Sequence, residues 1–408
     1  MQKDKEYKLL FLVRQYAPVP KVCEICVKRV RDSLLALGIK SDVLQYTGEE
    51  GVVESNECGT VYSIGAGEGL LNTTIENRLI HFFNKASVAY RWPRYFKYEL
   101  NSKYRKKIIE LDLINNYDAV IAVALPVDTI ISSIGLKKLV FYELDSISNN
   151  PQNNGFIKQL LRYRVNRIEK KAFDAADLII HMECNRSYYK KKRYAKYEEK
   201  SCYSDIPNLV PFPHSEKNNS GEKIICSYFG TLLKDIRNPE YLLKILNSVG
   251  QHIDIVGEFY SRGNCEDILR HEEKTSNGLI KAMGYVTPEE VVQQQNKADI
   301  LLSIGNKLSG EDRSLPSKIL EYISIGKPII HVSGGNNDSA ISYLKKYGLV
   351  CIIYPEDDLE LNVNRVVDFI CSSKEKRIGF DTIKEMFESN SPDYTANIIS
   401  TYLKSGHS

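Results

Sequence analysis

Apolar residues along this chain fall in short continuous runs separated by longer amphipathic stretches. The run from Lys8 to Val13 ends in a turn segment carrying Pro18 and Pro20, the pattern of a strand buried on both faces. Cys23 to Leu37 then places Ile25, Val27, Val30, Leu34 and Leu37 at helical spacing and stops at Gly38, where a glycine ends a helix. Ser41 to Tyr46, Asp118 to Ala124, Lys138 to Leu144 and Asp177 to His181 read as further strands with helical segments between them. Ile206 to Pro213 and Asn218 to Gly221 shift to Pro, Asn and Ser, as a linker does. Beyond it the alternation resumes. Ile224 to Phe229 ends at Gly230, Ile253 to Val256 at Gly257, Leu279 to Met283 at Gly284, Asp299 to Ser303 before Gly305, Pro328 to Val332 before Gly334, and Val350 to Tyr354 at Pro355. This predicts an α/β chain of two Rossmann-like, doubly wound parallel-sheet domains facing a cleft, at 1–205 and 223–385, joined by a linker at 206–222. Acceptor-type loops such as Thr47 to Gly69 have no readable period.

Length agrees with two domains, since 408 residues at roughly 150 per domain leave each half a full core. Lys plus Arg is 55 and Asp plus Glu 52, a net charge of +3, with 43% hydrophobic residues. That balance excludes a disordered chain and a strong polyanion binder. The longest apolar run, Ala119 to Val127, is far short of the roughly 20 residues a membrane helix needs. Met1 to Glu6 is too charged to open a secretory signal, so a soluble, cytoplasmic protein is expected. Nine cysteines scattered from Cys23 to Cys371 make no disulfide framework, and the Cys23, Cys26 pair lacks the second ligand pair of a zinc site, so reduced thiols are expected.

Two segments could carry chemistry. In Gly310 to Pro328, Ser314 can cap a helix, Pro316 suits its first turn and Gly326 ends it. A helix start bearing Ser317 and Lys318 suits a diphosphate, and Glu321, one turn deeper, suits a ribose diol. The plain alternative is a capped surface helix with a Lys318–Glu321 pair. In Tyr228 to Pro239, Gly230 lets a ligand approach the backbone, and Lys234 and Arg237 lie within reach of an anion. An ordinary strand-to-helix turn with solvated basic residues is the plain alternative.

Taken in order, Ile206-Pro-Asn208, Gly230 with Arg237 seven residues on, Val256-Gly257, Gly284-Tyr285, Ala298-Asp299, the Pro-Ser-Lys-x-x-Glu-Tyr run from Pro316 to Tyr322 and Gly326-Lys327-Pro328 resemble the GT-B glycosyltransferases of the GT4 type. The likeness is greatest to bacterial capsule and exopolysaccharide members, covers about residues 8 to 385, and is more specific in the second half. It implies a nucleotide-sugar donor on the C-terminal domain and an acceptor, commonly lipid-linked, on the N-terminal one. By that resemblance Glu321 binds the donor ribose, Arg237 and Lys318 with Ser317 meet the diphosphate, Gly230 and Thr231 line the donor site, and Gly284 and Tyr285 belong to the base-binding loop. Asp145, past the strand ending at Leu144, matches a polar position in the cleft, with a turn or helix cap as its plain alternative. A hexosyl transfer with retention is implied, Arg237, Lys318 and the helix start stabilising charge on the leaving oxygen. No cofactor and no essential metal are expected, and residues 386–408 should form a helix folding back on the N-terminal domain. The family often has Glu eight residues before Glu321; here that slot is Arg313, and members with Pro-Ser-Lys commonly lack that Glu.

Arg313 motivates a second reading, a sugar-nucleotide-binding partner subunit without catalysis. A GT-B nucleotide-sugar epimerase is a third, with His181 and His331 as its only well-placed histidines. The basic residues are also unevenly spread. Between His81 and Lys107, Arg91, Arg94, Lys97, Lys103 and others face the single acid Glu99, interleaved with Trp92 and several Tyr and Phe. Tyr188 to Tyr197 repeats the mixture with Lys190 and Lys191. Such a face suits an anionic membrane surface on the inner leaflet, whereas no nucleic-acid module fits it. The plain alternative is that the aromatics pack on the sheet and the cations are a solvated face.

Overall fold

The computed structural model describes residues 6–18, 22–65, 95–124, 127–136, 138–144, 146, 156–213, 223–307, 317–336 and 338–405. The chain folds as two units, Met1–Asn208 with Ser389–Ser408, and Leu209–Glu388.

The first unit is built on an eight-stranded sheet of order β3-β4-β2-β1-β5-β6-β7-β8. Its strands are β1 (Lys8–Val13), β2 (Lys40–Gln45), β3 (Glu50–Asn56), β4 (Gly59–Ile64), β5 (Ala119–Ala124), β6 (Leu139–Glu143), β7 (Leu178–Met182) and β8 (Ser201–Ser204). All neighbours are parallel except β3 and β4. The apolar run of β1 is continuous because both faces are covered. Leu9, Phe11 and Val13 enter one core with Val27, Val30 and Leu34 of helix Val22–Ala36, while Leu10 and Leu12 enter another with Tyr104 and Ile108 of helix Tyr95–Asn115. Each such side chain contributes about 1.5–3 kcal/mol. The last helix, Pro392–Lys404, is capped by Ser391 and buries Ala396 and Ile399 in the first of these cores.

The second unit carries a six-stranded, all-parallel sheet of order β11-β10-β9-β12-β13-β14. Its strands are β9 (Ile224–Leu232), β10 (Ile255–Gly263), β11 (Ile280–Ala282), β12 (Ile300–Ile304), β13 (Ile329–Val332) and β14 (Val350–Ile353).

Three local expectations change. The strands beginning near Ile224 and Ile253 do not stop at Gly230 and Gly257, because paired backbone carries β9 and β10 on to Leu232 and Gly263. The stretch without a readable period contains the β3–β4 hairpin, whose β3 residues are all exposed and therefore show no apolar alternation. β8 is likewise absent from the sequence-based reading; it is short and only half-buried.

Candidate functional site

The order of the second sheet sets where a ligand can enter. From β9 the chain steps outward to β10 and β11, then returns to the other side of β9 as β12, so β9 and β12 flank a switch in direction. Ligands of open α/β sheets bind at the C-terminal ends of such strands. The register shows the opening: β10 accompanies β9 from Ile224 to Leu232, whereas β12 pairs with β9 only from Cys226 to Tyr228. The next amide, Phe229 N, donates instead to the hydroxyl of Tyr322 at 2.9 Å. Burial pushes that hydroxyl far above its ordinary pKa, so it stays neutral. Tyr322 belongs to helix Ser317–Ile325, which buries Ile319, Leu320 and Ile323 and so stands at the mouth of this gap.

Past the gap, Gly230 holds φ at 154°, a conformation open to glycine, within the last residues of β9. The chain then closes a tight turn in which Arg237 N donates to Leu233 O at 2.7 Å. The Arg237 Nε donates to Asn306 Oδ1 at 2.5 Å, just beyond β12. Its terminal nitrogens carry no hydrogen bond among the described residues. Lys234 is committed elsewhere, to Asp267 at 2.7 Å on the surface.

On helix Ser317–Ile325, Lys318 Nζ meets Glu321 Oε1 at 2.8 Å, so the plain pairing foreseen from the sequence is formed. The same oxygen accepts from Gln295 Nε2 at 2.8 Å. Glu321 Oε2 carries no hydrogen bond among the described residues, and the carboxylate is partly exposed. Gln295 is fully buried and its backbone is fixed by Lys327, whose ammonium donates to the carbonyls of Gln295, Asn296 and Ala298 at 2.6–2.7 Å. A cation at the C-terminal end of helix Pro288–Lys297 suits the orphan carbonyls and the dipole there. Ser317 begins the next helix, but its side chain, like Arg313 and the capping residues Ser314 and Pro316, lies outside the described residues.

A separate cavity of about 180 Å³ opens between the ends of β10 and β11. Ser261, Arg262, Glu266, Gly284 and Tyr285 are among its walls. The Arg262 guanidinium lies 5.7 Å from the centre of the Tyr285 ring, and its Nε reaches Thr231 Oγ1 at 3.4 Å. The structure thus brings Gly230, Thr231, Arg237, Lys318, Glu321, Gly284 and Tyr285 to the C-terminal ends of one sheet and its adjoining helix. Asn306, Gln295, Arg262 and Glu266 join them and were missed. No short-range pattern marks Asn306, Gln295 or Arg262, since their partners Arg237, Glu321 and Thr231 are distant in sequence.

In the first unit, Asp145, Arg91, Trp92 and Arg94 lie outside the described residues, and Lys97 is placed only as part of helix Tyr95–Asn115. Lys190 and Lys191 are exposed, but the aromatics of their segment are not. Tyr188, Tyr189, Tyr194 and Tyr197 are buried against Phe173, so the aromatics of this stretch pack inward, with Lys191 4.4 Å above the Tyr188 ring. Beneath them His181 Nδ1 meets Glu143 Oε2 at 2.8 Å, Tyr189 donates to Glu143, and Tyr194 donates to Glu169 at 2.6 Å. His331 is equally enclosed, with its ring nitrogens on Ser303 and Asp338. Neither histidine is open to a sugar, which removes the support for an epimerase.

Among the described residues no group of three or more His, Cys, Asp or Glu could hold a metal ion, and no helix is long and apolar enough to cross a membrane. None of the nine cysteines is in a disulfide.

No protein-family model matches the chain, and no curated protein matches its sequence. Solved structures do match its fold. Sucrose-phosphate synthase from Thermosynechococcus elongatus aligns with a TM-score of 0.63 at 11% identity, over 98% of this chain and 99% of that one. HepE of Anabaena, solved in complex with UDP, gives 0.57 at 13% identity over 98% and 100%. WaaG, a glycosyltransferase involved in lipopolysaccharide biosynthesis, gives 0.56 at 12% identity over 96% and 99%. At such identities the likeness is one of fold. The chain has the mixed α/β, two-sheet architecture of the GT-B class.

Proposed function

We propose that the protein is a glycosyltransferase that takes a sugar from a nucleoside-diphosphate sugar. The observation that carries this reading is the gap between β9 and β12, flanked by an arginine whose terminal nitrogens, and by a helix whose Glu321 Oε2, carry no hydrogen bond among the described residues. A diphosphate fits the Arg237 fork and the helix start, and a ribose diol fits the Glu321 carboxylate. Tyr285 and Arg262 offer a ring face and donors for the base. As the bond to the anomeric carbon breaks, negative charge grows on the leaving phosphate oxygen. Arg237 stabilises it there, joined by Lys318 when the ammonium leaves Glu321.

Within this reading the enzyme is of the GT4 type, transfers a hexose with retention, and serves surface-polysaccharide assembly on a lipid-linked or saccharide acceptor. The ordered motifs from Gly230 to Pro328 support that assignment. Asp145 is the first-unit candidate for acceptor contact, and Lys190 and Lys191 for contact with an anionic membrane. Incubating the protein with UDP- and GDP-sugars and a lipid-diphosphate-linked saccharide should release nucleoside diphosphate and lengthen the acceptor. Tight binding of a donor without release would favour the non-catalytic partner subunit, and binding of none would overturn both.

A further inference from the structure

Among the described residues, the protein holds the Arg237 side chain through a neutral amide rather than a carboxylate. Lys234 and Lys318 each sit on a carboxylate, whereas the Arg237 Nε is taken by the amide oxygen of Asn306. An amide orients a guanidinium without cancelling its charge, and leaves the two terminal nitrogens, the pair that grips a phosphate side by side, for a ligand.

Asn306 is itself held. Lys307 N donates to Ile236 O at 2.8 Å, which ties the Asn306 segment to the turn that bears Arg237. On its other side the Asn306 carbonyl lies against Gly334, so close that a Cβ there would come within 2.3 Å of the oxygen. Gly334 is fixed in turn, its amide donating to Asp338 Oδ2 at 2.9 Å, and Asp338 also accepts from His331 at 2.9 Å and from Ala340 N at 3.0 Å. Both side chains of that pair are almost wholly buried.

We propose that Asn306 is a positioning residue that aims the Arg237 guanidinium at the donor diphosphate, with the His331–Asp338 pair bracing it through Gly334. The proposal rests on the reading of this crevice as a nucleoside-diphosphate site. It gives Asn306 a role that shows only when phosphates are bound. A substitution that merely loosened the fold would weaken nucleoside and nucleotide alike.

The test is calorimetric titration of UDP, GDP and the corresponding nucleosides, uridine and guanosine, into wild type, Asn306→Ala, Asn306→Asp and Arg237→Ala, with the double variant Arg237→Ala/Asn306→Ala. Asn306→Ala should weaken the preferred nucleoside diphosphate by roughly tenfold, the size of one hydrogen bond to a charged group. Asn306→Asp should weaken it further, because a carboxylate competes with the phosphate for the guanidinium. Nucleoside binding should be unchanged in both, and Asn306→Ala should have no added effect once Arg237 is gone. Equal loss for nucleoside and diphosphate, or undiminished diphosphate binding by Asn306→Asp, would overturn the proposal while leaving the donor site standing. Failure of wild type to bind UDP or GDP would overturn the donor site and the proposal together.

Discussion

Each unit places a buried histidine–carboxylate pair near the end of a parallel sheet, and the two pairs have opposite surroundings. In the first unit, His181 and Glu143 are sealed under a layer of tyrosines, and the neighbouring donors turn inward: Tyr189 to Glu143, Tyr194 to Glu169, and Ser201 to the carbonyl of Tyr197. In the second, His331 and Asp338 hold the Gly334 amide, Gly334 packs on the carbonyl of Asn306, and Asn306 takes the Arg237 Nε, leaving the terminal nitrogens of Arg237 with no hydrogen bond among the described residues. The local chemistry is the same. What separates a core network from a candidate site is whether donors remain after the protein has satisfied itself.

Glu143→Ala leaves His181 and Tyr189 without their shared acceptor, and should cost about 3–5 kcal/mol of stability by urea unfolding. A loss below about 1 kcal/mol would mean the network is not the closed core described. Arg237→Ala should leave the urea midpoint almost unmoved yet lower kcat by about 100-fold or more in the donor-release assay, the usual worth of a group that meets developing charge. Glu321→Ala should cost somewhat less, mainly as weaker donor binding.

Next in size is the brace. Burial by itself would raise the Asp338 carboxyl, but the hydrogen bond and charge of His331 and the amides of Gly334 and Ala340 outweigh it and hold the carboxyl below its ordinary value. A carboxyl lowered on folding contributes stability above its unfolded pKa of about 3.9, and loses it as the pH falls through the folded value. Asp338→Asn should therefore destabilise by about 2 kcal/mol at pH 7. The gap to wild type should narrow from about pH 4 downward. A gap independent of pH would show that the charge of Asp338 is not what binds the loop.

The smallest effect concerns the exposed cations of the first unit. If Lys190 and Lys191 touch an anionic membrane, replacing either by Ser should weaken co-sedimentation with phosphatidylserine vesicles by about 1 kcal/mol, and added salt should abolish the difference. No change at low salt would leave them a solvated face, as the burial of Tyr188 and Tyr194 beneath them already suggests for the aromatics.

How much could be read from sequence follows the same division. The buried strands announce themselves, because a parallel strand covered on both faces is apolar along its run, as from Leu9 to Val13 or Ile300 to Leu302. β3 does not, being exposed along its whole length. Gly230 misleads as a strand end, since a glycine inside a paired strand looks the same in sequence as one that closes it. Arg237 is legible from its distance to Gly230, and Glu321 from its place in the Pro-Ser-Lys helix. Asn306 and Gln295 are not, because their partners lie far along the chain and meet them only through the sheet order. The tyrosines between Tyr188 and Tyr197 carry the composition of a membrane face and the burial of a core, and composition cannot tell the two apart.

On the proposed function, a nucleoside diphosphate enters between β9 and β12 and leaves the sealed network of the first unit untouched. Hydrogen-exchange mass spectrometry with saturating UDP or GDP tests it most directly. Slowed exchange confined to the segments around Phe229 to Arg237, Ile304 to Lys307 and the start of helix Ser317–Ile325, and absent from Arg237→Ala, is the result expected. Protection centred on β7 and the tyrosine segment after it, with none around Arg237, would contradict it.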